Sequence, residues 1–246
     1  MIGIDRALRI DRQSAVAFVG AGGKTSALAA VSRAQRPCVA TATTHLGDWQ
    51  TGFADRCAVW PGPVDAPMAA LSRNNGVVLV TGRRDPHSHR LRGLSLQDVR
   101  ALGRVARERG WPLFVEADGA RQRPLKAPAA YEPPIPPDSN VVVVVAGLSG
   151  LGRPIDEQHV HRPERFAALA GCPIGTAVTA DLLARVLVHP DGGLKNVPGD
   201  ARRLVLLSQA DTPDLQAQGE RVARAVCHAF DGVVLVSFHH GVVRPL

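Results

Sequence analysis

The chain has 246 residues, 45% of them hydrophobic and 21% charged, which excludes a disordered chain and suits one α/β domain with a large core. A formal charge of +7 and a pI near 10.0 favour anionic partners, yet only 4% of residues are aromatic, so nucleotides or acidic proteins are expected before nucleic acid. The scattered cysteines (Cys38, Cys57, Cys172, Cys227), the charged N-terminus from Asp5 to Arg12 and the shortness of the longest aliphatic run, Val141 to Ala146, point to a cytoplasmic protein with reduced, mostly buried thiols and no membrane span.

The first informative stretch is Val16 to Ser26. An apolar strand ends in Gly20-Ala21-Gly22-Gly23 and the chain restarts as a helix at Lys24-Thr25-Ser26. Glycines there let backbone N–H groups close around an anion, and the helix N-terminus favours negative charge. Phe18 stands where the usual Walker loop has its first glycine, so the loop counted from Gly20 is the shorter Gly-x-x-Gly-Lys-Thr-[Thr/Ser] form, which resembles the ATP loop of the Mur peptide ligases. In this reading residues Gly20, Ala21, Gly22, Gly23 and Ser26 cradle phosphates, Lys24 reaches the outer phosphates and Thr25 or Ser26 binds Mg2+. The alternative is a glycine turn with a solvent-exposed lysine. Of the 29 Lys+Arg only Lys24, Lys126 and Lys195 are lysines, and a compact ammonium suits a backbone cradle better than a forked guanidinium.

A helix is expected from Thr25 to Gln35, stopping before Pro37, and a strand from Pro37 to Ala42. Thr43 and Thr44 then fall at the ligand edge of a parallel sheet, placed for Mg2+ or a γ-phosphate, or are simply β-forming residues. Cys57 to Trp60 reads as a short strand, Asp65 to Arg73 as a helix and Gly76 to Thr81 as a buried strand. His87 and His89, in the loop from Gly82 to Arg92, read as solvated rather than as metal ligands. Ser95 to Gly110 has a serine start, a helical apolar pattern and a glycine stop.

Leu113-Phe114-Val115-Glu116-Ala117-Asp118 is an apolar strand ending in acids, as in a Walker B element that holds Mg2+ directly or through water. Glu116 and Asp118, two residues apart on an extended strand, share a side, so one is placed to bind metal and the other to orient water. Arg121, Arg123 and Lys126 follow on a proline-stiffened segment that either clamps phosphates or an anionic substrate, or is a surface crossover.

At this point the chain resembles the YqeC-like family, described as accessory proteins for selenium-dependent molybdenum hydroxylases in selenium cofactor biosynthesis. The resemblance rests on Gly20 to Thr25, on Thr41-Ala42-Thr43-Thr44-His45-Leu46, and on Glu116-Ala117-Asp118-Gly119-Ala120-Arg121 followed by Pro124 to Pro128 and Glu132-Pro133. Tyr131 stands where the family's usual histidine precedes Glu-Pro. The resemblance implies a nucleotide-binding accessory protein with a molybdenum hydroxylase, or another maturation protein for the selenium or molybdenum cofactor, as partner.

Asn140 to Ala146 reads as a strand buried on both faces, with a glycine loop from Gly147 to Pro154 at its end. His159, His161 and Arg162 read as ordinary polarity before a helix from Pro163 to Ala170. Thr179 to Val188 is helical and Leu194 to Asp200 turn-rich. Leu204 to Asp211 resembles the guanine-reading Asn-Lys-x-Asp motif of GTPases, with Ser208 and Gln209 in place of Asn and Lys; Asp211 would accept hydrogen bonds from guanine, and the departures leave ATP or GTP open. Thr212 opens a helix through Ala229, Gly232 to Ser237 reads as the final strand, and His239 and His240 read as exposed.

This order of elements predicts one domain over residues 1–246, a three-layer α/β/α sandwich with a mostly parallel sheet, P-loop NTPase-like. The function expected is Mg2+-dependent nucleotide binding with slow NTP hydrolysis in hydroxylase maturation. Lys24, Glu116 and Asp118 would be the catalytic residues, Thr25, Glu116 and Asp118 the metal ligands, and Arg121, Arg123 and Lys126 contacts to phosphate or substrate. An ATP-dependent ligase or kinase, and a non-hydrolysing nucleotide-dependent chaperone or switch, are the alternatives.

Overall fold

The computed structural model describes residues 2–60 and 75–246. Along the chain the strands are β1 (Ala15–Gly20), β2 (Cys38–Ala42), β3 (Arg56–Val59), β4 (Val77–Thr81), β5 (Leu113–Glu116), β6 (Leu125–Lys126), β7 (Val141–Gly147), β8 (Val160–His161), β9 (Arg202–Ser208), β10 (Gly232–Ser237) and β11 (Val242–Pro245). The helices are α1 (Ile4–Ala7), α2 (Lys24–Ala34), α3 (Leu96–Glu108), α4 (Pro163–Ala170), α5 (Ala180–Val188) and α6 (Pro213–Val226).

The apolar runs have the form of strands covered on both faces: β2, β4, β5 and β7 are buried at every position. They belong to a nine-stranded sheet ordered β11-β10-β9-β7-β1-β5-β2-β4-β3. All its pairings are parallel except β10 with β11. Alternate side chains of the central strands enter different cores. Val16, Phe18, Val143 and Val145 pack with α1 and α2; Ala17, Val19, Val142 and Val144 pack with α3 to α6. The three-layer sandwich follows from that division.

Connectivity places the site. From β1 the chain crosses through α2 to β2, beyond β5, whereas from β5 it passes to the other side of β1 and forms β7. Connections that leave adjacent strands in opposite directions open a crevice at the strands' carboxyl ends. Phe18 pairs in register with Glu116 and is wholly buried in the α2-side core. It cannot belong to a ligand loop, so the loop begins at Gly20.

Several boundaries differ from the sequence reading. Helix α2 starts one residue early, at Lys24, and Gln35 is its cap. Strand β9 stops at Ser208 and α6 ends at Val226. Gly232–Ser237 is not the final strand, because the chain turns at His239 and His240, both exposed, and returns antiparallel as β11. The proline-stiffened segment after β5, read as a loop or crossover without a strand, contains β6, which pairs in parallel with β8. The helix expected over Asp65 to Arg73 lies outside the described residues. The four thiols are free, but only Cys38 is buried; Cys57 and Cys227 are exposed. Among the described residues no helix is long and apolar enough to cross a membrane.

Candidate functional site

The loop after β1 is shaped by its glycines. Gly20, Gly22 and Gly23 have φ of 94°, 75° and 126°, values that side chains rarely tolerate. A Cβ on Gly22 would lie 2.5 Å from Pro124 O and 2.6 Å from Gly147 Cα, so the loop is pressed against the ends of neighbouring segments. Ser208 Oγ donates to Gly22 O, tying the loop to β9. Gly23 caps α2 without any side-chain hydrogen bond. The N–H groups of residues 22–26 find no acceptor among the described residues, and those residues line a cleft of about 770 Å³. Unsatisfied N–H groups at a helix start form an anion-binding surface.

Lys24 is not the exposed lysine of the alternative reading. Only 4% exposed, its Nζ donates to Gly20 O at 2.5 Å and lies 3.2 Å from Asp118 Oδ1. Asp118 Oδ2 accepts from the Gly20 N–H at 3.1 Å and pairs with Lys126 Nζ at 2.7 Å. Lys126 Nζ reaches Glu132 Oε2 at 2.7 Å and Gly119 O at 2.6 Å. Glu132 in turn holds Arg162 through two bonds of 2.8 and 2.9 Å. Two of the chain's three lysines therefore converge on one buried carboxylate. Burial acts to raise the Glu132 carboxyl, but Arg162 and Lys126 outweigh it and bring it to about 2.

The two acids of the β5 end therefore do different things. Asp118 is committed to two ammonium groups and the loop backbone. Glu116 accepts from Thr25 Oγ1 at 2.8 Å, and Thr25 Oγ1 accepts from Gln50 Nε2 at 2.9 Å. Burial pushes the Glu116 carboxyl up, opposed by Lys24 and the Thr25 hydrogen bond. Among the described residues no cluster of three or more His, Cys, Asp or Glu side chains could hold a metal alone. The pair Thr25 and Glu116 does suit Mg2+, which usually takes one or two protein oxygens and fills its octahedron with phosphate oxygens and water.

The other residues singled out from the sequence divide. Ser26, Thr44, Arg121 and Arg123 line the cleft, although Arg123 Nε donates to Glu157 O at 2.5 Å. Thr43 spends its hydroxyl on Ala117 O at 2.9 Å. Lys126 is buried beneath the cleft, at 8% exposure. Asp211 lies outside it: Gln209 turns left-handed at φ 58°, Ala210 N–H bonds to Val236 O, and Asp211 accepts from Ser237 Oγ at 2.5 Å. It is Ser208 and Gln209, the departures from the guanine motif, that reach the loop and the cleft.

Sequence reasoning gave no place in the site to Gln50, Trp49, Arg90, Glu132, His161 or Arg162, all of which line the cleft. His161 is half-buried, and its imidazole is lowered to about 4 by burial first and then by Arg162 and Lys126, so it is neutral at pH 7. The one signal available for Glu132 was its place in a Glu-Pro pair; the sequence carries nothing that joins it to Arg162, 30 residues away.

The sequence model of one family, described as YqeC protein, matches residues 16–164, a span that includes the loop, Glu116, Asp118, Glu132 and Arg162. The Escherichia coli (strain K12) protein named "Uncharacterized protein YqeC" is 32% identical over 212 residues, covering 80% of this chain and 77% of that protein. No solved structure matches.

Proposed function

The chain belongs to the YqeC family, and from the cleft just described we propose that it is a Mg2+-dependent nucleotide-binding accessory protein that turns NTP over slowly. The observation that carries this reading is the row of N–H groups at residues 22–26 without acceptors among the described residues, at the start of α2 and open to the cleft. Those groups would hold phosphate oxygens as a backbone nest. Lys24 is the adjacent cation: its ammonium would exchange Gly20 O for a phosphate oxygen while Asp118 keeps it in place. Thr25 and Glu116 would hold Mg2+, which when bound neutralises charge on the outer phosphates. Glu116 would also fix the orientation of a water beside it. The resemblance to the YqeC-like family supports a selenium-dependent molybdenum hydroxylase as the client whose maturation this site would serve.

One observation favours a second reading, transfer to an acceptor as in a ligase or kinase. The cleft is larger than a phosphate cradle and carries Arg90, Arg121, Arg123 and Arg162 against two acids, Glu116 and Glu132, both already hydrogen-bonded.

The test is calorimetric titration with slowly hydrolysed Mg-ATP and Mg-GTP analogues. Saturable binding of at least one is expected, weakened tenfold or more in Lys24→Met. Absence of binding by both, in protein shown to be folded, would sink the reading.

A further inference from the structure

The part of the cleft formed by residues 119–123, 131–132 and 161–162 has three properties that phosphate binding by the loop leaves unexplained. First, its charge is unbalanced. Glu132 is neutralised by Lys126 and Arg162, and Asp118 by Lys24 and Lys126. Arg121 is exposed and has no hydrogen bond or ion pair among the described residues, and the His161 ring likewise makes no hydrogen bond among them. Second, these two groups line the same cleft, and Arg162, Lys126 and Arg121 disfavour the His161 imidazolium while Glu132 favours it. Third, backbone strain collects here. The described non-glycine residues with positive φ are Arg9, His89, Arg121, Gln122, Arg162, Asn196 and Gln209, and three of them, Arg121, Gln122 and Arg162, lie in this wall of the cleft. Strain of that kind persists only where the surrounding structure over-determines it, and it clusters at catalytic and ligand-binding sites.

We propose that this wall is a second anion subsite, separate from the phosphate loop, in which Arg121 and His161 bind the carboxylate or phosphate of a small co-substrate while Arg162 adds charge. Arg121 supplies a fork matched to two oxygens of a planar carboxylate or a phosphate. His161, neutral, donates one N–H to the anion at no cost in added charge. Glu132 acts at one remove, holding Arg162 in its left-handed position with two parallel bonds. The inference rests on the proposed function in taking the loop as the nucleotide's own site, so that an anion bound here belongs to a different molecule.

The experiment is calorimetric titration with inorganic phosphate and, separately, succinate, on protein already saturated with the slowly hydrolysed Mg-nucleotide analogue. One or both anions are expected to bind to the saturated protein, and the tighter of the two names the class of co-substrate. Arg121→Gln is expected to weaken that binding tenfold or more, and Arg162→Lys, which keeps the charge beside Glu132 and loses the fork, by several-fold. Loss of all anion binding on saturation, or an unchanged affinity in Arg121→Gln, overturns the subsite. Should the analogue itself fail to bind, the same titrations are run on Lys24→Met without nucleotide. Anion binding that survives there and disappears on adding Arg121→Gln supports the subsite although the nucleotide reading has failed; binding unaffected by Arg121→Gln overturns it.

Discussion

Lys24 Nζ lies 3.2 Å from Asp118 Oδ1, with both side chains shut off from solvent. A buried ammonium beside a buried carboxylate is stable only because each compensates the other, and Asp118 serves Lys126 in the same way. The two partners are not equivalent. Removing Asp118 leaves Lys24 without its carboxylate and Lys126 with Glu132 alone; removing Lys24 leaves Asp118 with Lys126 and the Gly20 N–H. Asp118→Ala is expected to destabilise the fold by about 3–5 kcal/mol, and Lys24→Met by clearly less, read as the difference in unfolding free energy from urea titrations. Equal losses would show that the lysine is held by something other than Asp118. It also follows that lost nucleotide binding in Asp118→Ala reports on the fold as much as on the site.

Most of the fold was legible because its signals are local. An unbroken Val141 to Val145 can be little else than a central parallel strand, and Gly20 to Lys24 marks its own turn. Strand β11 escaped because Val242–Pro245 is a short edge strand whose residues are at most half-buried, so neither alternation nor a continuous apolar run announces it. In the site, Thr25 and Glu116 were each legible, Thr25 from the glycine loop and Glu116, together with Asp118, from the acidic strand end; that the two meet, at 2.8 Å, was not. Nor was the network around Asp118. Lys126 and Glu132 lie on a proline-rich segment without periodicity, and Arg162 precedes a helix as many solvated arginines do; the pairing of β6 with β8 sets Lys126 beside His161, and Glu132 joins Lys126 to Arg162.

The Thr25 hydroxyl bridges Glu116 and Gln50, so the proposed metal dependence can be tested apart from phosphate binding by the loop. Thr25→Ala removes the bridging oxygen, and Glu116→Gln keeps the shape while removing the charge. Each is expected to lower nucleotide affinity in Mg2+ by about tenfold or more and to leave the affinity in EDTA near that of wild type, since one protein oxygen on a phosphate-bound Mg2+ is worth at least a charge-assisted hydrogen bond. Titrations with and without Mg2+ read this directly. A Glu116→Gln variant that retains its full response to Mg2+ would remove Glu116 from the metal site.

Contact with the base is expected to lie with Trp49 rather than Asp211. Trp49 lines the cleft with 69% of its surface exposed, a placement that offers a flat apolar face for a ring to stack on. Asp211 is turned away to Ser237. Asp211→Ala should therefore leave the ratio of ATP to GTP affinity unchanged within twofold, whereas nucleotide binding should alter tryptophan emission, an effect lost in Trp49→Phe. Because stacking tolerates any base, a preference below about tenfold between the two nucleotides is the expected outcome. A loss of GTP binding alone in Asp211→Ala would restore the guanine reading.

Acid should loosen the protein first at His161. Its imidazole titrates at about 4 in the folded protein against an ordinary 6.5, because burial, Arg162, Lys126 and Arg121 disfavour the cation and Glu132 only partly offsets them. The unfolded chain therefore takes up this proton first as pH falls, so the contribution is whole above about pH 6.5 and is lost progressively down to pH 4. Glu132 has the same sign in a lower window: held at about 2 against 4.5, it contributes fully above pH 4.5 and loses that contribution as pH falls through 2. Wild-type stability should thus decline in two overlapping steps. His161→Gln, which carries no titrating ring, should flatten the upper step, and Glu132→Gln the lower one at the cost of leaving Lys126 and Arg162 short of a carboxylate. Urea midpoints at pH 7, 5 and 3.5 separate the steps. A His161→Gln variant that loses as much stability between pH 7 and 5 as wild type would show that the imidazole is free to protonate in the fold, and would take from the anion subsite its neutral donor.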